Sequence, residues 1–374
     1  MKTNILTMIE QAEVAWKPLG EILVRTKGTK ITAGQMKELH KENAPIKIFA
    51  GGKTFALVDF DDIPQKDINN EPSIIVKSRG IIEFEFYDKP FSHKNEMWSY
   101  HSQNENIETK FVYYFLKQNE LHFQKIGSKM QMPQIATPDT DKFLIPIPPL
   151  ELQKEIVKRL DILTELEATL EAELTLRKKQ YQYYRDFLLS ENELAKVGFE
   201  WKRLGEVVNL KRGKRLVRSE LEETGEYAVY QNSLQPLGYY HQANCPSNST
   251  FIITAGAAGE IGYSYTDFWA ADDCYYLQCP KDKLNDRFVY HALMNQKQKI
   301  VGQVRKASVP RLGRNSIENI KIPIPPLDTQ AKIVAILDKF DHLTSSITDG
   351  LPKEIELRRK QYEYYRELLL GFGM

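Results

Sequence analysis

Over residues 151–189 the chain carries no glycine or proline, and its apolar side chains fall on two rows at heptad spacing. Leu160, Leu174, Tyr181 and Leu188 form one row, and Ile156, Leu163, Leu170 and Tyr184 form the other, interrupted only by Glu167 and Arg177. That period, in a stretch rich in Leu, Glu, Lys and Gln, predicts a long helix with a coiled-coil seam. At ~1.5 Å per residue the helix would run roughly 58 Å, longer than a domain of this size is wide, so an extended arm is expected. A second arm over 328–370 keeps the pattern through Ile333, Leu337, Phe340, Ile347 and Leu351, then restarts at Ile355, Tyr362, Tyr365 and Leu369. Gly350 and Pro352 sit at the restart. An insertion of about four residues adds a turn and lets a seam resume, while proline removes a backbone donor, so a kink or short break is expected there.

The regions before each arm read differently. Short apolar or aromatic runs alternate with turns, as in Ser73-Ile74-Ile75-Val76, the stretch 81–87 with Glu83 and Glu85 alternating, Thr250-Phe251-Ile252-Ile253-Thr254 and Asp273-Cys274-Tyr275-Tyr276-Leu277. These predict strands with a few helices.

The chain also repeats itself. Ile145-Pro146-Ile147-Pro148-Pro149-Leu150 returns unchanged as Ile322-Pro323-Ile324-Pro325-Pro326-Leu327, and Phe111-Val112-Tyr113 returns as Phe288-Val289-Tyr290. Trp16-Lys17 and Leu19-Gly20-Glu21 open the first copy as Trp201-Lys202 and Leu204-Gly205-Glu206 open the second. Each copy ends alike, Lys179-Gln180-Tyr181-Gln182-Tyr183-Tyr184-Arg185 against Lys360-Gln361-Tyr362-Glu363-Tyr364-Tyr365-Arg366. A repeat fixes architecture. The expected fold is α+β: two similar mixed α/β globular domains, 1–144 and 198–321, separated by two long antiparallel helices, 145–197 and 322–374, in a pseudo-two-fold arrangement.

Composition adds limits. At 374 residues, 42% hydrophobic and 27% charged, the chain suits a soluble protein of two or three domains. Cys245, Cys274 and Cys279 are too few and too unevenly placed for a disulfide framework, which suits the cytoplasm. Residues 1–16 have the pattern of neither a signal peptide nor a spanning helix, and no membrane role is expected.

The formal charge is only +1, so any nucleic-acid surface must come from segregated charge. The second domain has it. Lys202, Arg203, Lys211, Arg212, Lys214, Arg215 and Arg218 crowd its start, and Lys299, Arg305, Lys306, Arg311 and Arg314 its end. Of these, Lys211, Arg212, Lys214, Arg215, Arg305, Lys306, Arg311 and Arg314 are the candidate phosphate contacts, with Gln231, Asn232, Gln235 and tyrosines as candidate base readers. The first domain offers a thinner set, Lys27, Lys30, Lys77, Arg79 and Lys129. The arms are locally acidic, with Asp161, Glu165, Glu167, Glu171 and Glu173 in one run.

Catalytic signatures are missing. Gly51-Gly52-Lys53-Thr54 lacks the upstream glycine of a phosphate loop, and the glycines of Gly256-Ala257-Ala258-Gly259-Glu260-Ile261-Gly262 are wrongly spaced for a dinucleotide loop and fit a strand-to-strand turn. The cysteines lack metal spacing and the histidines are unpaired, with His241 and His291 better read as structural or surface residues.

Taken together, the Trp-Lys-x-Leu-Gly-Glu openings, the Ile-Pro-Ile-Pro-Pro-Leu closures and the helices ending in Lys-Gln-Tyr-x-Tyr-Tyr-Arg resemble the specificity subunit of type I restriction-modification systems, the HsdS family. The resemblance spans nearly the whole chain. It implies two target recognition domains, each reading half of a split double-stranded DNA site, and two helices that dock modification subunits, expected in two copies. A restriction subunit can join. S-adenosylmethionine, ATP and Mg would then sit on the partner subunits, with no cofactor or metal on this chain and no catalysis by it. The seam residues expected to serve the coiled coil and its partners are Ile156, Leu160, Leu163, Leu170, Leu174, Tyr181, Tyr184, Ile333, Leu337, Phe340, Ile347, Tyr362 and Tyr365. Two rival readings stay open on the residues alone: a stand-alone DNA-binding or architectural protein, and a coiled-coil scaffold whose globular ends bind proteins.

Overall fold

The computed structural model describes residues 5–128, 132–346 and 348–373. The chain divides into two compact units: Met1–Thr169 together with Ile355–Met374, and Leu170–Glu354. Each combines a globular region with helical segments from two distant parts of the chain. Five helices organise them: α1 (Thr109–Gln118), α2 (Leu150–Leu188), α3 (Asp286–Asn295), α4 (Leu327–Ser345) and α5 (Leu351–Leu369).

The first arm is the single helix α2, 39 residues long. The second arm breaks, as its glycine and proline foretold. Helix α4 ends at Ser345 and α5 begins at Leu351. A Cβ on Gly350 would lie 2.7 Å from the His342 carbonyl oxygen, so only glycine fits against the last turn of α4. Pro352 stands in the first turn of α5, where a missing N–H leaves no helical bond unmade. Ile347 lies outside the described residues.

Both globular regions share one topology. In the first, an antiparallel four-stranded sheet runs Val24–Lys27, Trp98–His101, Ser73–Lys77, Glu83–Tyr87, and a three-stranded sheet runs Phe55–Val58, Ile46–Phe49, Phe91–His93. In the second, the four strands are Asn209–Arg212, Cys274–Gln278, Ser249–Ile253 and Ile261–Ser264, and the three are Gly238–Tyr240, Tyr227–Tyr230 and Phe268–Ala270. Each three-stranded sheet has one antiparallel and one parallel pairing, in the same places. The central strands Ser73–Lys77 and Ser249–Ile253 are buried throughout, which is why they read as unbroken apolar runs. The first region alone adds the helix Ala33–Leu39, whose Met36 packs with Ile46, Ile48, Ala56 and Val58 in a separate small core.

The repeated motifs at the domain ends pair with each other. Ala15–Pro18 forms an antiparallel ribbon with Leu144–Ile147, placing Trp16 opposite Pro146, and Glu200–Arg203 does the same with Lys321–Ile324, placing Trp201 opposite Pro323. Proline is tolerated because a two-stranded ribbon is all edge. Next to each ribbon a buried glutamine ties the arm to the domain. Gln153 accepts from the Glu108 amide (2.9 Å) and donates to the carbonyls of Asn106 (3.2 Å) and Pro148 (2.8 Å). Gln330 repeats this with Asn285 (2.9 Å), Lys283 (3.0 Å) and Pro325 (2.8 Å).

The apolar rows of the arms face inward, where they pack on one another and on the globular regions. Ile156 and Leu160 belong to the core of the first unit with Phe111, Val112, Phe115 and Leu369. Ile333, Leu337 and Tyr181 belong to that of the second with Phe288, Val289 and Leu293. Heptad spacing marks an apolar stripe but not what covers it, and in both units the globular region supplies much of the cover.

Replacing Gln153 or Gln330 by Leu removes the partners of one amide and two carbonyls. Either change should lower the unfolding free energy by about 2–4 kcal/mol, read from urea denaturation of the full chain. Wild-type stability in both variants would show the glutamines to be mere filler.

Candidate nucleic-acid interface

The two basic segments of the second region, distant in sequence, meet at one end of its four-stranded sheet. Arg212 ends its strand opposite Tyr275, and the next strand over finishes at Ile253. The loops beyond are stitched together. Arg212 Nε donates to the Asp272 carbonyl (2.9 Å), and the Lys214 amide donates to Ala270 (2.9 Å). Both the amide and the hydroxyl of Thr254 donate to the Asp273 carbonyl (2.8 and 2.9 Å). The Leu312 amide donates to Thr254 (2.9 Å), while Arg305 and Arg311 exchange both backbone bonds (2.9 and 3.2 Å). A Cβ on Gly213 would lie 2.1 Å from the Ala271 carbonyl oxygen, so this close approach requires glycine.

Lys211, Arg212, Lys214, Arg215, Arg305, Lys306 and Arg311 are all exposed there. Arg314 is exposed as well but pairs with Glu318 (2.7 Å). Asn232 joins the cluster, its carbonyl accepting from the Ala257 amide (2.9 Å). Gln235 is exposed and Gln231 half-buried.

The first region builds the same end from different side chains. The Ser78 hydroxyl donates to the Glu96 carbonyl (2.6 Å), as Thr254 does to Asp273. Arg79 bridges to Gln134 as Ala255 bridges to Arg311. Gly80 and Gly256 both take left-handed backbone, with φ of 75° and 76°. Lys27, Lys30 and Arg79 are exposed, and Lys129 lies outside the described residues.

Lys77 is corrected: it is buried, and its ammonium is answered by Glu83 (2.6 Å) and Glu85 (2.8 Å). Burial works to lower its pKa, but the hydrogen bonds it donates to the two carboxylates outweigh it and the pKa is raised. Glu83 stands directly opposite Lys77 on the adjacent strand, a cross-strand pairing that the alternation of the glutamates announced. Sequence reading passed over Ile81 and Met132, exposed apolar residues on the paired loops beside Gly80. An apolar residue next to a turn glycine was the only available signal.

Fragments that imitate catalytic motifs have structural uses. Residues 50–54 turn between two strands, with the Ala50 amide bonded to Thr54 (3.0 Å), and residues 254–260 connect the strands Ser249–Ile253 and Ile261–Ser264. Cys245 and Cys274 are buried free thiols, His291 is buried, and His241 is exposed beside Glu222. Among the described residues no His, Cys, Asp and Glu group could hold a metal, and no helix is long and apolar enough to cross a membrane.

On the arms, Leu163, Leu170, Leu174, Tyr184, Phe340 and Tyr362 are half-buried and Tyr365 is exposed. Tyr181 and Tyr184 stack on Phe340 at 6.3 and 5.2 Å between centroids, so these seam residues serve internal packing. Ile156, Leu160, Tyr181, Ile333 and Leu337, buried in the cores, are likewise unavailable to a partner. The outward face carries a different set. Leu176 and Tyr183 on α2 are 60% and 62% exposed, and their repeats Leu357 and Tyr364 on α5 are 48% and 61% exposed. Their spacing of seven residues puts each pair on one helix face.

A family model for the type I restriction modification DNA specificity domain matches residues 13–176 and again 196–357. The type I restriction enzyme EcoR124I/EcoR124II specificity subunit of Escherichia coli is 32% identical over 394 residues, covering 98% of this chain and 96% of its own. A putative type I restriction enzyme specificity subunit of Haemophilus influenzae, S.HindORF215P, is 28% identical over 402 residues, covering 100% and 99%. The crystal structure of a type I restriction-modification S subunit from M. genitalium shares the fold, with a TM-score of 0.73 at 20% identity over 99% of this chain and 98% of that one.

Lys214→Glu and Arg311→Glu should each weaken duplex DNA binding across sequences and reduce the slope of log K against log salt by about 1. Lys77→Met should leave that slope alone and instead lower stability, since it strands Glu83 and leaves Glu85 only its longer pairing with Lys47 (3.5 Å). Unchanged slopes in both charge reversals would take this end of the sheet off DNA.

Proposed function

The chain belongs to the type I restriction-modification DNA specificity family, and from that premise we propose that it is the non-catalytic, DNA-reading subunit of a type I restriction-modification complex. One globular region in each unit reads one half of a bipartite double-stranded site, and the arms dock modification subunits. The observation that carries this reading is the repeated loop cluster. The same backbone framework, with Gly80 matching Gly256 and Ser78 matching Thr254, presents different side chains in the two copies. A protein that reads two unlike half-sites needs that combination, since phosphate contacts position it while base-edge contacts differ.

Lys211, Arg212, Lys214, Arg215, Arg305, Lys306 and Arg311 serve phosphates in the second domain, and Lys27, Lys30 and Arg79 in the first. Asn232 in the same loop cluster, and the exposed Gln235 three residues on, carry the donors and acceptors that base edges require. Two copies of the modification subunit dock on the repeated stripes Leu176 with Tyr183 and Leu357 with Tyr364, whose exposed aromatic and aliphatic surface suits burial in an interface. S-adenosylmethionine belongs to those subunits, and ATP with Mg to a restriction subunit that joins them.

Reconstitution with the modification subunit of the same system tests this. The isolated chain should neither methylate nor cleave DNA, and native mass should give two modification subunits per chain. Tyr183→Glu should remove one of them and Tyr183→Glu with Tyr364→Glu both. Exchanging residues 201–321 for the corresponding region of a relative should change one half-site only. A clear one-to-one complex, or methylation by the chain alone, would overturn the reading.

A further inference from the structure

In both units the main helix of the globular region meets its arm through a polar contact set in an otherwise apolar interface. In the first unit Lys110 and Tyr114, one turn apart on α1, converge on Asp161 of α2. Lys110 Nζ lies 2.8 Å from the carboxylate, and the Tyr114 hydroxyl donates to Oδ1 at 2.5 Å. In the second unit Arg287 and His291, one turn apart on α3, converge on Asp338 of α4. Arg287 Nε and His291 Nε2 both donate to Oδ1 at 2.7 Å. Arg287 also pairs with Asp341, and the Tyr181 hydroxyl sits 3.2 Å from His291 Nδ1. The Arg287 guanidinium is enclosed by the rings of Tyr290 (4.4 Å), Tyr263 (4.6 Å) and Tyr265 (5.3 Å), while Lys110 has only Phe86 (5.3 Å).

The four positions correspond through the repeat: Lys110 to Arg287, Tyr114 to His291, Asp161 to Asp338 and Thr164 to Asp341. Only the aspartate is identical, yet the chemistry is kept, a cation and a hydrogen-bond donor closing on one carboxylate. Stability does not require this, because a partly exposed ion pair such as Lys110–Asp161 contributes little, and a more buried one such as Arg287–Asp338 is often no better than apolar packing of the same volume. Its distinctive property is direction. Apolar contact lets a helix slide or roll at small cost, whereas two donors aimed at one carboxylate from i and i+4 fix both register and rotation. Burial lowers the His291 imidazole from its ordinary 6.5 despite the Asp338 hydrogen bond, so the ring donates as a neutral group. Burial alone would raise the Asp338 carboxyl, but the His291 and Arg287 hydrogen bonds outweigh it and hold it below 3.8. Helix α3 packs on the strands Ser249–Ile253 and Ile261–Ser264, and α1 on Ser73–Lys77 and Glu83–Tyr87, the strands that lead into the basic loops.

We propose that these residues are positioning residues: an interchangeable polar clamp that sets the angle of each DNA-reading domain on its own arm, and thereby holds the base to be methylated in register with the docked modification subunit. This rests on the function proposed above. The test uses the full complex, with methylation of each half-site followed separately by sequencing of modified duplex. Asp338→Asn should slow methylation in the half-site read by the second domain roughly 10-fold or more relative to the other, since small misplacements are costly in rate. The triple variant Arg287→Lys, His291→Tyr, Asp341→Thr installs the first unit's set and should stay within about 3-fold of wild type. If Asp338→Asn fails to assemble, Asp161→Asn should give the same contrast with the half-sites reversed. Equal loss at both half-sites, no loss at either, or a triple variant as impaired as Asp338→Asn would overturn the clamp. Absence of sequence-specific methylation by the wild-type complex would instead refute the underlying function.

Discussion

Each globular region depends on the closure of its own two ends. The strands Ala15–Pro18 and Leu144–Ile147, and their repeats Glu200–Arg203 and Lys321–Ile324, bring the start and finish of the region into one ribbon. Everything between is then a long insertion closed at its base. The entropic cost of such closure rises slowly with length, so the interior can grow or change while the ribbon stays as it is. The first region illustrates this, holding the additional helix Ala33–Leu39 and its own small core. Gln153 and Gln330 carry the closure into the arm, satisfying backbone groups on both sides of the junction.

A closed base leaves the loops at one end of the sheet free to carry charge. Strand positions are set by apolar burial, which is indifferent to the chemistry of the loops, whereas the loop backbones are held by their own hydrogen bonds and by glycines at Gly80 and Gly256. A framework of that kind can present lysines and arginines in one copy and a sparser set in the other without altering the fold. It also explains why a chain with net charge of only +1 can hold a basic surface. Many of the acidic residues lie along the arms, among them Asp161, Glu165, Glu167, Glu171 and Glu173, and charge acts over about one Debye length rather than over the whole protein.

The arms reconcile two demands on one helix surface. Their inward apolar rows are used by the cores of the units, with Ile156 and Leu160 in one and Ile333 and Leu337 in the other. Their outward face keeps Leu176, Tyr183, Leu357 and Tyr364 exposed. Between these faces the polar clamps at Asp161 and Asp338 add direction to an interface that apolar contact alone would leave free to slide.

The repeat, the strand and helix types, the break near Gly350 and the family resemblance were all legible in the order of residues, because they depend on local period and on short identical motifs. The limits of the four apolar runs read as strands came within one or two residues for the same reason. What lies beside a residue was not legible. Lys77 reads like Lys27 as a basic residue at a strand end, and only the cross-strand register reveals that Glu83 and Glu85 neutralise it. Leu160 and Tyr365 both stand on the heptad rows, yet one is buried and the other exposed. The meeting of Arg212 with Arg305 and Arg311, and of Arg287 and His291 with Asp338, likewise follows from how strands and helices pack across long sequence separations. Periodicity records which face of an element is apolar; partners are chosen by tertiary packing, and that choice decides which charges are free to meet DNA.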